Sequence, residues 1–258
     1  MMRLENLSCG YGGVACVHGV SAAFEVGRIV GLIGPNGCGK STLIKTAAGL
    51  LPPIGGRILF GGQPLEAPNP RALARVISFM PQMRNVPGIT ARQLVAHGRY
   101  PNLGFSRSLT KNDRAIIRRC MERTDTLRFS DLPLTQLSGG ERQRVYFAML
   151  LTQDTDLVFL DEPTTFLDIK SQFELIRMVK DLKALGKAVV VVLHDIAQAA
   201  RFCDELILMD RGAAVCQGSP EQVLPSPKLE TVFGVKIRSV DVDGQRHYLF
   251  DQNTEENP

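Results

Sequence analysis

Short apolar runs alternate with amphipathic stretches along most of the chain. Residues 28–33 (RIVGLI) read as a buried strand, and residues 40–50 as the helix that follows it. Residues 157–160 (LVFL), 188–193 (AVVVVL) and 205–209 (ELILM) are further buried strands. An amphipathic helix over about 170–185 and a shorter one near 196–202 separate them. Strands that are apolar on both faces, with helices between them, indicate parallel βαβ units. The first 60 or so residues, with Gly12-Gly13 and Gly55-Gly56 read as turns, look antiparallel instead. Between about 87 and 155 the pattern is helical, as in residues 112–124, and reads as a helical subdomain inserted into the α/β core. The expected layout is therefore a main domain over 1–236, with its core at about 1–86 and 156–236 and the helical subdomain at about 87–155. Residues 237–258 form a C-terminal extension whose polar tail, from 251 on, is expected to fray.

No apolar run approaches the roughly 20 residues needed to cross a bilayer, and the first residues lack a signal-peptide apolar core. The expectation is a cytoplasmic chain that reaches a membrane only through a partner. The net charge of +4 is mild and gives no reason to expect nucleic acid. Six cysteines form no CxxC pair and no zinc-like spacing, so they are expected to be reduced and mostly buried.

Two segments carry chemistry by themselves. Gly34-Pro35-Asn36-Gly37-Cys38-Gly39-Lys40-Ser41, followed by Thr42, fits GxxxxGK[ST] between a strand and a helix. Its glycines let backbone N–H groups face phosphates, and the helix N-terminus adds partial positive charge. Lys40 is expected on the β- and γ-phosphates of a nucleotide, and Ser41 on Mg²⁺. The strand at 157–160 ends in Asp161-Glu162-Pro163, which puts two carboxylates at the ligand-binding edge of a parallel sheet. Asp161 suits the Mg²⁺ role and Glu162 a general base on the attacking water.

Leu137-Ser138-Gly139-Gly140-Glu141-Arg142-Gln143 is a capping box with two glycines at a helix start, hence a second anion-binding terminus on the same chain. This run resembles the signature sequence of the ABC ATPase family, whose P-loop fold has an antiparallel β subdomain and an inserted helical subdomain. Other family elements follow in order over about residues 3–236. Tyr11 resembles the aromatic residue that stacks on adenine. Gln82 resembles the Q-loop glutamine, which senses Mg²⁺ and the membrane partner's side. Thr165-Phe166-Leu167-Asp168 resembles the D-loop, with Thr-Phe in place of the commoner Ser-Ala, and His194 the switch histidine on the γ-phosphate. Cys38 stands where the family more often has Ser or Ala; exposed, it would react with thiol reagents and block nucleotide.

The resemblance implies an ATPase that works as a homodimer, with Ser138, Gly139 and Gly140 of one copy, and the D-loop around Asp168, completing the ATP site of the other. It implies ATP and Mg²⁺ as cofactors, two transmembrane permease subunits, and a substrate-binding protein met indirectly through them, at the cytoplasmic face of the membrane. Segments near 82–105 are expected to form the groove for the permease, with Arg84 and Arg99 as test positions. His97-Gly98-Arg99-Tyr100-Pro101 looks like the GRxP element of importers for iron-siderophores, haem and vitamin B12. That points to import of a metal chelate, cobalamin or a metal oxyanion. A soluble non-transport ABC ATPase and an exporter subunit are the alternatives.

Overall fold

The structure, a computed structural model, describes residues 2–65, 69–82, 86–104, 108–165, 167–242 and 245–252. In chain order the elements begin with β1 (Met2–Tyr11), β2 (Val14–Phe24), β3 (Ile29–Ile33), α1 (Lys40–Ala47), β4 (Pro53–Phe60) and β5 (Gln63–Pro64). Next come α2 (Pro70–Leu73), β6 (Ile77–Met80), α3 (Ala91–His97), α4 (Lys111–Arg123), α5 (Gly139–Gln153), β7 (Leu157–Asp161) and α6 (Ile169–Ala184). The last are β8 (Ala188–Val192), α7 (Ile196–Phe202), β9 (Glu205–Asp210), β10 (Ala213–Gly218), α8 (Pro220–Val223), α9 (Pro227–Phe233), β11 (Val235–Val242) and β12 (Gln245–Gln252). The chain divides into two compact units, Met1–Leu65 with Val190–Pro258, and Glu66–Val189.

In the first unit β2, β1, β4 and β5 form an antiparallel sheet in that order. Gly12-Gly13 is the β1–β2 turn, with Tyr11 paired to Val14. Gly55-Gly56 is not a turn. It lies inside β4, where the pairing with β1 shifts between Glu5 and Ser8. Gly56 has φ +75°, and a Cβ there would sit 2.2 Å from the Asn6 carbonyl, so this glycine makes a bulge possible. The reversal comes later, at Gly61-Gly62.

β3 is buried along its whole length and pairs in parallel with β9, Val30 to Glu205 through Ile33 to Leu208. β10 continues antiparallel on the far side of β9. The Ile29 N–H donates to Asp204 Oδ2 at 2.8 Å and fixes where β3 starts. α1 stops at Ala47, short of the expected residue 50, because Gly49 turns left-handed and its N–H bonds Thr46. β11 and β12 form a hairpin, Val235 with Gln252 and Ile237 with Phe250, where the sequence reading places only an extension. Val235, Ile237, Tyr248 and Phe250 form its half-buried face, while Lys236, Arg238 and Leu249 are exposed. The end of the polar tail, residues 253–258, lies outside the described residues.

In the second unit β6 and β7 are parallel, with Ile77 beside Leu157 and Met80 beside Leu160. The start of β8 is held by the Ala188 N–H on the Asp156 carbonyl. α3, α4 and α5 share a core that includes Leu94, Val95, Ile117, Met121, Val145, Phe147 and Ala148. Each begins at a capping box, with Thr90, Thr110 and Ser138 as caps, which satisfies backbone donors that a helix start otherwise leaves open. Among the described residues no helix is long and apolar enough to cross a membrane.

Candidate functional site

In the first unit the loop from β3 to α1 is shaped by close approach. Gly34 has φ +150°, and a Cβ there would meet the Met209 carbonyl at 2.2 Å and Cys38 Sγ at 2.9 Å. Only glycine fits. Lys40 opens α1 and is 5% exposed. Its Nζ donates to the Gly34 carbonyl at 2.8 Å and the Pro35 carbonyl at 2.9 Å, with Cys38 Sγ at 3.7 Å. The loop thus wraps its own ammonium, which is the geometry of a curled anion cradle. Cys38 is buried, and burial pushes its thiol above its ordinary pKa although Lys40 pulls the other way. The thiol is a packing group here, not an exposed reagent target.

Ser41 is half-buried and Thr42 buried behind the loop. Asn36 and Gly37 lie at its exposed crest, with Gly39 as the left-handed N-cap residue of α1. Tyr11 closes β1 with 55% of its surface exposed, an open aromatic face. The Leu193 N–H donates to the Leu32 carbonyl at 3.0 Å. His194 therefore emerges, exposed, at the same strand ends from which the phosphate loop departs.

In the second unit the parallel register of β6 and β7 sets the next pair. Met80 lies beside Leu160, so Gln82 and Glu162 leave their strands together, and Gln82 Nε2 donates to Glu162 Oε2 at 2.5 Å. Asp161 ends β7 and is 2% exposed. Glu162 adopts φ +51°, a left-handed conformation that costs a non-glycine residue about 1 kcal/mol or more. Strain of this kind concentrates where a side chain must be aimed. The Thr165 hydroxyl also donates to Glu162 Oε2, at 3.3 Å. Nothing in the sequence pattern marks Thr165 as a partner of Glu162.

Ser138 is exposed at the start of α5, where its Oγ and N–H both donate to Glu141 Oε2, at 2.8 and 2.9 Å. Those bonds hold the Glu141 carboxyl below its usual range. Gly140 is needed for closeness, since a Cβ would lie 2.5 Å from Ser171 Oγ. Asp168 caps α6, accepting from the Ser171 N–H at 2.8 Å, and that bond leads the lowering of its own carboxyl pKa. Phe166 lies outside the described residues.

Arg99, in the segment expected near the permease groove, is mostly buried: its side chain is 12% exposed and pairs with Asp113, itself 10% exposed. Its Nε donates to Asp113 Oδ1 at 2.9 Å and its Nη1 to the Thr152 carbonyl at 2.8 Å. Arg99 thereby ties the segment after α3 to the start of α4 and the end of α5. The neighbouring Pro101 carbonyl accepts from Arg71 and Arg75. Gly98 is packed against α5, where a Cβ would lie 2.1 Å from Thr152 Oγ1. Arg84 lies outside the described residues. Among the described residues, a cavity of ≈ 650 Å³ lies between α3 and α4, lined by exposed Arg92, Gln93, Arg114 and Arg118 and by buried Ala96 and Ile117.

The profile of the ABC transporter family matches residues 17–165. The achromobactin transport ATP-binding protein of Dickeya dadantii is 38% identical over 238 residues, covering 92% of this chain and 88% of its own. The ferric enterobactin transport ATP-binding protein of Escherichia coli is 35% identical, covering 93% and 89%. A dimeric bacterial ABC transporter cassette superposes with a TM-score of 0.76 at 27% identity, covering 85% of this chain and 99% of the cassette.

Proposed function

This chain belongs to the ABC transporter family of ATP-binding subunits, and on that premise we propose that two copies clamp two ATP molecules, hydrolyse them and drive import of a metal chelate through a separate permease. One observation carries the reading: a single chain holds two helix starts suited to phosphate, the loop before α1 and the Ser138 turn before α5.

Charged phosphate oxygens are stronger acceptors than carbonyls, so the β- and γ-phosphates take over the Lys40 ammonium from Gly34 and Pro35. Backbone N–H groups of residues 34–42 cradle the same phosphates, and Tyr11 stacks on adenine. Residues 138–140 of one copy complete the site of the other, with Asp168 fixing the D-loop beside them. Glu162 accepts the proton of the attacking water, oriented by Gln82 and Thr165. His194 contacts the γ-phosphate. The hydroxyl of Ser41, the carboxylate of Asp161 and the amide oxygen of Gln82 are hard oxygen donors, a set that suits Mg²⁺ and would hold it. When bound, Mg²⁺ neutralises charge on the phosphate oxygens. ATP binds the closed clamp better than ADP does, and that difference moves the permease.

The cavity between α3 and α4, lined by exposed arginines and buried apolar side chains, takes an amphipathic cytoplasmic segment of the permease. The chain then sits at the cytoplasmic face of the membrane and meets a substrate-binding protein only through the permease. The chelate class follows the relatives named for achromobactin and ferric enterobactin, with cobalamin and a metal oxyanion as neighbouring choices.

The test is ATP turnover by the native chain and by Glu162→Gln. Loss of a general base lowers turnover by about 10²–10⁴-fold while ATP still binds. Equal turnover in the two sinks the assignment of the base. Tagged Glu162→Gln chain used as bait on detergent-solubilised membranes should bring down a protein with many apolar spans. Recovery of ribosomal or DNA-associated proteins alone refutes the transport role.

A further inference from the structure

Gln143, the last residue of the LSGGERQ run, is assigned no part in the proposed ATP site, yet it is 7% exposed and its amide is bonded to backbone. Its Nε2 donates to the Pro163 carbonyl at 2.6 Å, and Pro163 directly follows Glu162. Two more contacts lie on the same side of α5, at the spacing that puts residues on one helix face. Gly140 lets Ser171 approach so closely that a Cβ would meet its Oγ at 2.5 Å, and Ser171 is held in turn by Asp168. Arg144 Nη1 donates to Glu174 Oε2 at 2.7 Å. The start of α5, the start of α6 and the backbone after Glu162 are therefore joined in one packed body. A helix shift of an ångström would leave the Pro163 carbonyl without its partner, and buried carbonyls are rarely left that way.

We infer that Gln143 is a positioning residue that ties the Ser138 helix start to Glu162 of the same chain. The inference rests on the proposed function. There, Ser138 serves the ATP bound by the other copy, while Glu162 acts on the ATP bound by its own. The Gln143 amide thus makes closure of one site set the base of the other. A hydrogen bond to backbone transmits this displacement whatever side chain surrounds it, and the contacts of Gly140 and Arg144 keep α5 from pivoting about that bond.

The test is a double-mutant cycle on turnover with ATP and Mg²⁺, using the full chain: native, Ser138→Ala, Gln143→Leu and the pair. The expected result for Gln143→Leu is a kcat lower by about tenfold, with KM within about twofold of native, because ATP contacts are untouched. The double variant should be no slower than the slower single variant within about twofold, since both changes cut one link. Multiplicative losses in the pair, or native kcat in Gln143→Leu, overturn the link alone. Native turnover in Ser138→Ala overturns the clamp reading itself, and the link with it. Should Gln143→Leu fail to fold, Gln143→Asn repeats the cycle: it keeps the amide but cannot reach Pro163, and the same outcomes decide.

Discussion

Replacing Arg99 by methionine keeps most of the side chain's length and removes the charge at the junction of α3, α4 and α5. In the native chain Arg99 donates to Asp113 Oδ1 and to the Thr152 carbonyl. Removing one partner of a buried ion pair costs about 3–5 kcal/mol, because the other charge stays buried. Asp113 keeps two donors from Thr110, the hydroxyl at 2.6 Å and the N–H at 3.0 Å, which reduces that figure. The Thr152 carbonyl loses its guanidinium, which adds about 1 kcal/mol. The expected loss is about 3 kcal/mol at neutral pH. It should depend on pH. The Thr110 hydroxyl and N–H, and then Arg99, hold the Asp113 carboxyl below its usual range. A depressed folded-state pKa gives stability that is present above the unfolded value of about 3.9 and lost as pH falls through the folded value. The gap between native and Arg99→Met should therefore be widest near pH 7 and narrow below about pH 4. Urea unfolding followed by far-UV circular dichroism measures it, since the chain has no tryptophan to report by fluorescence. Adding Asp113→Asn to Arg99→Met should cost less than the sum of the two single changes. A neutral-pH loss below about 0.5 kcal/mol, the range of ordinary surface substitutions, would refute the brace.

Gly98→Ala forces a Cβ to within 2.1 Å of Thr152 Oγ1 and 2.2 Å of the Met149 carbonyl, so α3 and α5 must separate. The expected cost is about 1–3 kcal/mol, read from the same urea midpoint; a neutral substitution would refute the close packing. Treatment with N-ethylmaleimide at pH 7.5 should modify exposed Cys16 well before buried Cys38, by about tenfold or more in rate, because burial suppresses the Cys38 thiolate. Peptide mass mapping over time checks it, and equal rates would contradict the packed loop.

Legibility followed the range of the forces involved. The buried strands at β3, β7, β8 and β9 appear in the sequence because each is a short unbroken apolar run, and their predicted ends fall within about a residue of the observed ones. The phosphate loop and the Ser138 cap are likewise local, since their chemistry is set by residues adjacent in the chain. β6 is not legible in the sequence because Ser78 interrupts the apolar run Ile77-Ser78-Phe79-Met80. That hydroxyl is buried and satisfied by Thr155, a residue 77 positions away. The β11–β12 hairpin differs: Val235-Lys236-Ile237-Arg238 and Val240-Asp241-Val242 already alternate apolar and charged residues as a half-buried strand does, and only the pairing of β11 with β12 is set by tertiary structure. Gly55-Gly56 misled, because a glycine pair reads as a turn until the strand facing it is known.

By itself the sequence determined the strand–loop–helix around Lys40, the carboxylates after the β7 strand, the capped start of α5 and hence the family. Each of these depends on neighbours a few residues apart, where backbone geometry and side-chain type act together. Only the tertiary structure decided that Arg99 is an internal brace, that Gln82 and Thr165 share one oxygen of Glu162, and that Gln143 reaches the Pro163 carbonyl. Those contacts join residues 3 to 80 positions apart. A hydrogen bond acts only within about 3 Å, and which distant groups come that close is settled by packing.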